Sequence, residues 1–271
     1  YGLSDFLGGV LSRRASFVRV ALLGQLGGLV VMALAAPLTA STPPRVPDVV
    51  WGALSGLGTG IAMMFLFRGM SRGAMSVVVP VSAVGGVALP VLVATAALGE
   101  RPPLLGWVGI ALALPALWLV SGGAAVRQRP AGAALRDGLV ASVGIALQYL
   151  ALAQATPGAG VWPVAAGRLS AVITVAVLAQ AFVRTSTGHP PTRPVRLGLG
   201  AGVAGSLAAL ALVCYLFATR TQFLAVAVVL SSLYPVVPVL LGITALRERL
   251  RRRQILGLVG ALAASVLIAT P

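Results

Sequence analysis

Long apolar runs separated by short polar breaks follow one another along the whole chain. Runs of roughly 20 apolar residues are typical of helices that cross a bilayer. They predict ten helices, near residues 1–12, 17–37, 48–70, 74–98, 104–122, 135–155, 160–183, 196–218, 222–246 and 254–270. The first run is about half as long as the others, so we expect the natural chain to start upstream of Tyr1.

Part of this pattern occurs twice. Residues 72–121 align without a gap to residues 220–269, with part of the positions identical. The matched positions include Arg72 with Arg220, Pro90 with Pro238, Glu100-Arg101 with Glu248-Arg249, and Gly109 with Gly257. A fixed offset of this kind indicates an internal duplication.

The duplication predicts two five-helix repeats, at residues 1–122 and 135–271, joined by a linker at 123–134. Because each repeat has an odd number of helices, the second must enter the membrane upside down relative to the first. Inverted repeats of this kind place substrate sites near the middle of the membrane, between the repeats. The expected fold is therefore an all-α integral membrane protein with ten transmembrane helices arranged as two inverted five-helix repeats, and a transporter or pore is favoured.

Composition supports a membrane location. The chain is 58% hydrophobic and 9% charged, with a mean hydropathy of +1.00. Soluble domains carry about 25% charged residues. We therefore expect the lipid bilayer, rather than water, to surround most of the chain.

The basic residues are all arginine, 20 against 5 acids, which gives a net charge of +15. All of them except Arg168 are assigned to the breaks between apolar runs, where they set orientation, so no nucleic-acid partner is expected. The turns after helices 2, 4 and 8 hold only Arg45, Arg101 and Arg220. The turns after helices 1, 3, 5, 7 and 9 hold 16, so the positive-inside rule places these odd-numbered turns in the cytoplasm and both termini outside.

Glycine patterns in the chain favour helix packing. Residues 200–205 match a dinucleotide-binding fingerprint in letters, but no strand precedes them, so we reject a nucleotide site. Gly52, Gly56 and Gly60 on helix 3, and Gly198 and Gly202 on helix 8, predict ridges that let helices approach closely.

No catalytic or metal-binding signature is present. The single Cys214 lies in an apolar run and the single His189 in a His-Pro-Pro loop. We therefore expect neither an enzyme nor a bound metal or cofactor.

Two ionisable residues lie inside apolar runs, where charge is costly and usually functional. Asp5 is predicted to bind a proton or a cationic group, the alternative being that it lies near the interface or pairs with an arginine. Arg168 is predicted to hold an anionic group such as a carboxylate, the alternative being that it snorkels to the interface. Arg19 has a comparable place on helix 2, which favours a structural role in both halves.

Other polar residues and prolines complete the predicted site. The substrate-binding set is Ser4, Asp5, Ser82, Gln148, Tyr149, Arg168, Ser231 and Tyr234. Pro80 and Pro90 in helix 4, and Pro235 and Pro238 in helix 9, are predicted hinges because proline breaks the helical hydrogen-bond ladder. The alternative is that the serines and tyrosines only bridge helices. The four Trp and four Tyr are expected in interfacial belts.

Three stretches resemble the EamA family of the drug/metabolite transporter superfamily. They are Tyr-Gly-Leu-Ser-Asp-Phe-Leu-Gly-Gly at residues 1–9, Leu-Gly-Glu-Arg-Pro-Pro-Leu-Leu-Gly-Trp-Val-Gly at 98–109, and the Arg247-Glu-Arg segment with Leu-Gly-Leu-Val-Gly-Ala at 256–261. The resemblance covers essentially the whole chain.

This resemblance implies a ten-helix exporter of small metabolites, such as amino acids or related amphipathic compounds, in a bacterial inner membrane. It implies cytoplasmic termini, opposite to the arginine count. Small multidrug members of the superfamily couple transport to protons through an acid in their first helix, which would correspond to Asp5. The alternative function is a non-transporting membrane scaffold or sensor.

Overall fold

The computed structural model describes residues 1–12, 14–39, 43–71, 75–120, 131–182, 194–231 and 252–269. Their regular secondary structure is entirely helical, with no strand among them. The helices are α1 Gly2–Ser12, α2 Phe17–Thr39, α3 Val46–Ser71, α4 Met75–Ala96, α5 Leu104–Val120, α6 Ala131–Leu152, α7 Trp162–Phe182, α8 Pro194–Ala218, α9 Leu224–Ser231 and α10 Arg252–Ala269. A short 3-10 turn, Pro157–Ala159, precedes α7.

The all-helical prediction is confirmed, since a helix overlaps each of the ten predicted apolar runs. Five helices are long and apolar enough to cross a membrane, namely α2, α3, α7 and the segments Leu135–Leu152 of α6 and Val195–Ala218 of α8. Most of the ninth predicted run, after Ser231, lies outside the described residues.

The outer surface of the bundle is apolar and its interior is built from small residues. Leu38 on α2 is 87% exposed and Leu199 on α8 is 67% exposed, whereas Ala171 and Ala209 are fully buried. Large side chains on the outside and small ones inside are typical of helices packed in lipid, where association depends on close contact rather than on the exclusion of water.

Helices α3 and α7 touch through their backbones. A Cβ at Gly52 would overlap the carbonyl oxygen of Pro163, and a Cβ at Gly56 would overlap that of Gly167. The predicted glycine ridge on helix 3 is therefore confirmed. Because both contacts advance by four residues in the same direction, α3 and α7 run parallel.

Helices α2 and α8 approach in the same way. A Cβ at Gly24 would lie 3.5 Å from the carbonyl oxygen of Ala201, and one at Gly28 would lie 2.9 Å from that of Gly205. These helices are parallel too. The predicted ridge on helix 8 is partly wrong, because a Cβ at Gly198 would meet nothing within 4 Å and the contact lies further along the helix.

Helix α6 packs between α3 and α4. It runs parallel to α4, since Val81 faces Gly138 and Gly85 faces Ser142. It runs antiparallel to α3, because Thr59 bonds Gln148 while residue 68, later in α3, meets residue 137, earlier in α6.

Several inter-helix turns meet at one end of the bundle. The carboxylate of Asp48, at the start of α3, accepts hydrogen bonds from the backbone N–H and the hydroxyl of Thr156, at 2.7 and 3.0 Å. The guanidinium of Arg220 donates to the carbonyl of Gly160 at 3.0 Å. We call this end the even-turn end, because its connections follow α2, α4, α6 and α8.

A buried ion pair joins the last turns of α3 to the first turns of α6, away from the even-turn end. The Arg68 guanidinium hydrogen-bonds both carboxylate oxygens of Asp137. It also lies over the rings of Phe65 and Phe182, 4.5 and 4.6 Å from their centroids. The charge of Arg68 is thus compensated within the protein.

The glycine contact between α3 and α7 gives a stability prediction. Gly56→Ala should lower the stability of the folded protein by about 1–3 kcal/mol, because the added methyl forces two backbones apart. Gly198→Ala is the matched control, since its methyl enters open space and raises helix propensity by up to about 1 kcal/mol. Thermal unfolding midpoints in detergent measure both, and equal shifts for the two variants would contradict the packing described.

Candidate functional site

Polar side chains from both predicted halves meet inside the bundle. Tyr1, Gln25 and Thr59 come from the first half, and four more from the second half. We call the whole set the central polar cluster: Tyr1, Gln25, Thr59, Gln148, Tyr149, Arg168 and Tyr215.

Gln148 joins α3, α6 and the start of the chain. Its amide oxygen accepts a hydrogen bond from the hydroxyl of Thr59 at 2.7 Å. Its amide nitrogen donates to the phenolic oxygen of Tyr1 at 3.4 Å. The Thr59 hydroxyl also reaches the carbonyl of Ser55, one turn back on its own helix. Such bonds satisfy polar groups that would be costly to bury unpaired.

Three tyrosines form the aromatic part of the cluster. The ring of Tyr149 meets that of Tyr1 edge-on, with centroids 6.2 Å apart, and that of Tyr215 at 4.5 Å. The Tyr215 hydroxyl donates to the backbone carbonyl of Tyr149 at 2.9 Å. Such ring pairs stabilise by about 0.5–1.5 kcal/mol beyond the area that they bury.

Arg168 is the cation of the cluster. Its side chain is 1% exposed, and its Nη1 donates to the amide oxygen of Gln25 at 2.9 Å. Gly28 leaves room for the arginine stem, since a Cβ there would lie 3.2 Å from the Cδ of Arg168. Nε and Nη2 are buried and have no hydrogen-bond partner among the described residues.

The burial of Arg168 excludes the snorkelling alternative, because the guanidinium does not reach the surface. The comparison with Arg19 is also wrong, since that side chain is exposed on α2. The two arginines therefore do not share one structural role.

The structure brings three of the predicted site residues together, Gln148, Tyr149 and Arg168. The remaining described members lie elsewhere: Ser4 is buried on α1, Asp5 lies on α1 with a buried Oδ1 that has no partner among the described residues, Ser82 is buried on α4, and Ser231 is half-buried at the described end of α9.

Other predictions fall on parts of the chain about which less is described. Tyr234, Pro235 and Pro238 lie outside the described residues. Pro80 and Pro90 both fall within α4, Met75–Ala96, and Pro90 is buried.

Four cluster residues were missed by the sequence analysis: Tyr1, Gln25, Thr59 and Tyr215. Gln25 carried a usable signal, because it is an amide within an apolar helix, as Gln148 is. Thr59 lies between Gly56 and Gly60 of the glycine ridge, a pattern that indicates helix packing.

The expected interfacial belt is only partly right. Trp51, Trp107 and Trp118 are exposed, as a belt requires. Tyr149 and Tyr215 are 2% and 1% exposed and pack on each other. Tyr149 and Tyr215 therefore belong to the interior, where a hydroxyl can bond a neighbouring helix.

Glu100, one of the duplicated acids, binds the start of α9. Its two carboxylate oxygens accept hydrogen bonds from the backbone N–H groups of Leu224 and Ala225, at 2.8 and 3.0 Å. The first N–H groups of a helix have no partner within the helix, and the helix dipole favours an anion there. Glu100 therefore links the first half of the chain to the second by hydrogen bonds at the even-turn end. Its counterpart Glu248 lies outside the described residues.

No group of three or more His, Cys, Asp or Glu side chains that could hold a metal ion occurs among the described residues. The polar groups of the central polar cluster are amide, hydroxyl and guanidinium groups. These can bind the polar parts of an organic molecule by hydrogen bonding and charge.

Comparison with known proteins shows a fold shared with a solved structure. No protein-family model and no curated protein matches this sequence. Among the solved structures that match is one described only as the crystal structure of a protein. It superimposes on this chain with a TM-score of 0.71 at 17% sequence identity. The match covers 99% of this chain and 92% of the other. The two proteins share a fold, and the chain is a helical protein with several helices able to span a membrane.

The contact of Glu100 with α9 gives a second stability prediction. Glu100→Ala should destabilise the protein by about 1–3 kcal/mol, because two helix N–H groups lose a charged acceptor. Glu100→Gln should lie between the alanine variant and wild type, since one acceptor oxygen remains. The control is Arg101→Ala, which alters the exposed neighbour. Thermal unfolding in detergent is the measurement, and a midpoint for Glu100→Ala equal to that of the control would contradict the capping role.

Proposed function

We propose that this protein is a secondary transporter that exports small metabolites across a bacterial inner membrane by alternating access. The observation that carries the proposal is the central polar cluster, which is buried in an apolar helical bundle and drawn from both halves of the chain. Polar and ionisable groups in such a place are expensive, and in membrane proteins they usually line a substrate path.

The helix directions support the inverted repeat on which alternating access depends. The duplication makes α8 the counterpart of α3 and α7 the counterpart of α2. Contacts α3–α7 and α2–α8 are then the same contact seen from each half, and both are parallel. Since neighbouring helices in sequence alternate in direction, counterparts such as α3 and α8 are antiparallel. That arrangement is the one expected for repeats inverted in the membrane.

The contacts between the halves provide the parts of a two-sided gate. At the even-turn end, Asp48 holds Thr156 and Glu100 holds α9. On the other side of the bundle, Arg68 holds Asp137. Opening one side requires the contacts of that side to separate while those of the other side remain closed. Bending would occur at Pro80 and Pro90 of α4 and at the predicted hinge prolines Pro235 and Pro238, which lie outside the described residues. The substrates are amino acids or related amphipathic compounds, as the EamA resemblance implies.

Water access separates the transporter from a non-transporting scaffold or sensor. In a Cys214→Ala background, Ser82→Cys and Ser231→Cys should react with a small water-soluble thiol reagent, because a transporter exposes its interior to water in turn on each side. Ala171→Cys, packed against Gly60 at the α3–α7 contact, should stay unreactive. Reaction is followed by mass spectrometry of protein in membrane vesicles. If position 82 stays as inert as position 171, the scaffold is favoured.

Proton coupling through Asp5 gives a further prediction. The substrate is first identified by comparing metabolites retained by cells with and without the protein. In proteoliposomes, wild-type transport of that metabolite should rise when a pH gradient is imposed, and Asp5→Asn should abolish this rise because the amide cannot take up a proton. Asp5→Glu, which keeps a carboxyl group, should retain it. An unchanged response in Asp5→Asn would remove Asp5 from the coupling mechanism while leaving transport intact.

A further inference from the structure

Arg168 has two buried N–H donors without an acceptor among the described residues. Nη1 is occupied by the amide oxygen of Gln25 at 2.9 Å. Nε and Nη2 have no acceptor within the described part of the chain, although the side chain is 1% exposed. Nε–H and Nη2–H lie side by side on one edge of the planar guanidinium. They form the fork that matches the two oxygens of a carboxylate.

The positive charge of Arg168 also has no countercharge among the described residues. Four of the five acids in the chain lie among the described residues, and of these Asp48 binds Thr156, Glu100 caps α9 and Asp137 pairs with Arg68. Within the described residues, Asp5 forms no ion pair with Arg168. Gln25 is neutral and offers one oxygen. A buried cation without a countercharge is costly, and no carboxylate of the described residues pairs with Arg168.

Gln25 determines which edge of the guanidinium is free. Because its amide oxygen accepts from Nη1, the opposite edge with Nε and Nη2 remains available. Gln25 is itself buried and lies on α2, while Arg168 lies on α7. The two helices therefore hold the fork in one orientation, and Gln25 acts as a positioning residue.

We propose that Arg168 binds the carboxylate of the transported molecule side-on through Nε–H and Nη2–H. This inference rests on the proposed transport function and narrows its substrates to organic monocarboxylates. One carboxylate neutralises the single cation of the described cluster. A phosphate dianion would leave a buried net negative charge there, so a carboxylate is favoured.

The tyrosines of the cluster supply a surface for the rest of the molecule. Tyr1 packs on Tyr149, which packs on Tyr215. Aromatic rings beside a carboxylate fork suit an apolar or aromatic body.

The test is ligand-induced stabilisation of the purified protein in detergent. The probes are benzoate and L-phenylalanine, each with its amide, benzamide and L-phenylalaninamide, together with inorganic phosphate. We expect the carboxylates to raise the unfolding midpoint and the amides not to, since a carboxamide group has no negative charge and only one oxygen. Stabilisation by phosphate alone would overturn the substrate class. If neither benzoate nor L-phenylalanine raises the unfolding midpoint, the proposed carboxylate site is wrong.

Variants separate binding from a merely structural role. Arg168→Gln should weaken carboxylate binding about 100-fold or more, because two charge-assisted hydrogen bonds are lost. Without ligand it should unfold at a higher temperature than wild type, because an uncompensated buried charge is removed. Arg168→Lys keeps the charge without the fork and should bind between the two. Arg19→Gln, at the exposed arginine of α2, should change neither quantity. A lower unfolding temperature of ligand-free Arg168→Gln, with carboxylate binding retained, would assign Arg168 to structure.

Transport and binding measurements on Arg168 variants distinguish failure of the carboxylate site from failure of the transport function. Transport of a neutral metabolite that survives Arg168→Gln would refute the carboxylate site and leave the transporter standing. Carboxylate binding that depends on Arg168, without any movement of that carboxylate into or out of proteoliposomes, would uphold the site and refute transport.

Discussion

Glycine brings helix backbones into direct contact, and the interior of the bundle is arranged around those contacts. Gly56 on α3 meets Gly167 on α7, and Gly28 on α2 meets Gly205 on α8, in each case without a side chain between them. In lipid there is little hydrophobic gain from joining two apolar helices, so contact of this kind has to supply the association. Arg168 follows Gly167 directly, and Gly28 makes room for its stem. The same contacts that join the helices therefore place the guanidinium between α2 and α7.

Two buried arginines in this bundle have opposite surroundings. Arg68 has a carboxylate on its guanidinium and an aromatic ring on each of two sides, so its charge is compensated when the protein folds. Arg168 has one neutral amide and two donors without a partner among the described residues. An arrangement that favours stability alone would resemble the first. The second is typical of a site whose partner arrives from solution, because proteins accept local instability where function requires it.

The connections between the halves are polar contacts at the ends of helices. Glu100 binds the first N–H groups of α9, and Asp48 binds the turn before α7. Both contacts lie at the even-turn end, where water can take over their hydrogen bonds when they separate. Breaking them is therefore less costly than separating the glycine-packed helices. The duplicated Glu-Arg pairs of the sequence acquire a physical meaning here, since one of them joins the two halves of the chain.

The amino-acid sequence was sufficient to predict the all-helical fold and the approximate positions of the helices, because runs of about 20 apolar residues have few other stable forms in a bilayer. It also indicated Gln148 and Arg168, since polar groups are conspicuous in such runs. It could not assign Gln25 to Arg168 or Thr59 to Gln148, because these partners lie on different helices and periodicity within one helix carries no information about its neighbour. The contrast between a compensated Arg68 and an uncompensated Arg168 emerged from the packed bundle alone. That contrast depends on which side chains the neighbouring helices bring within hydrogen-bond distance.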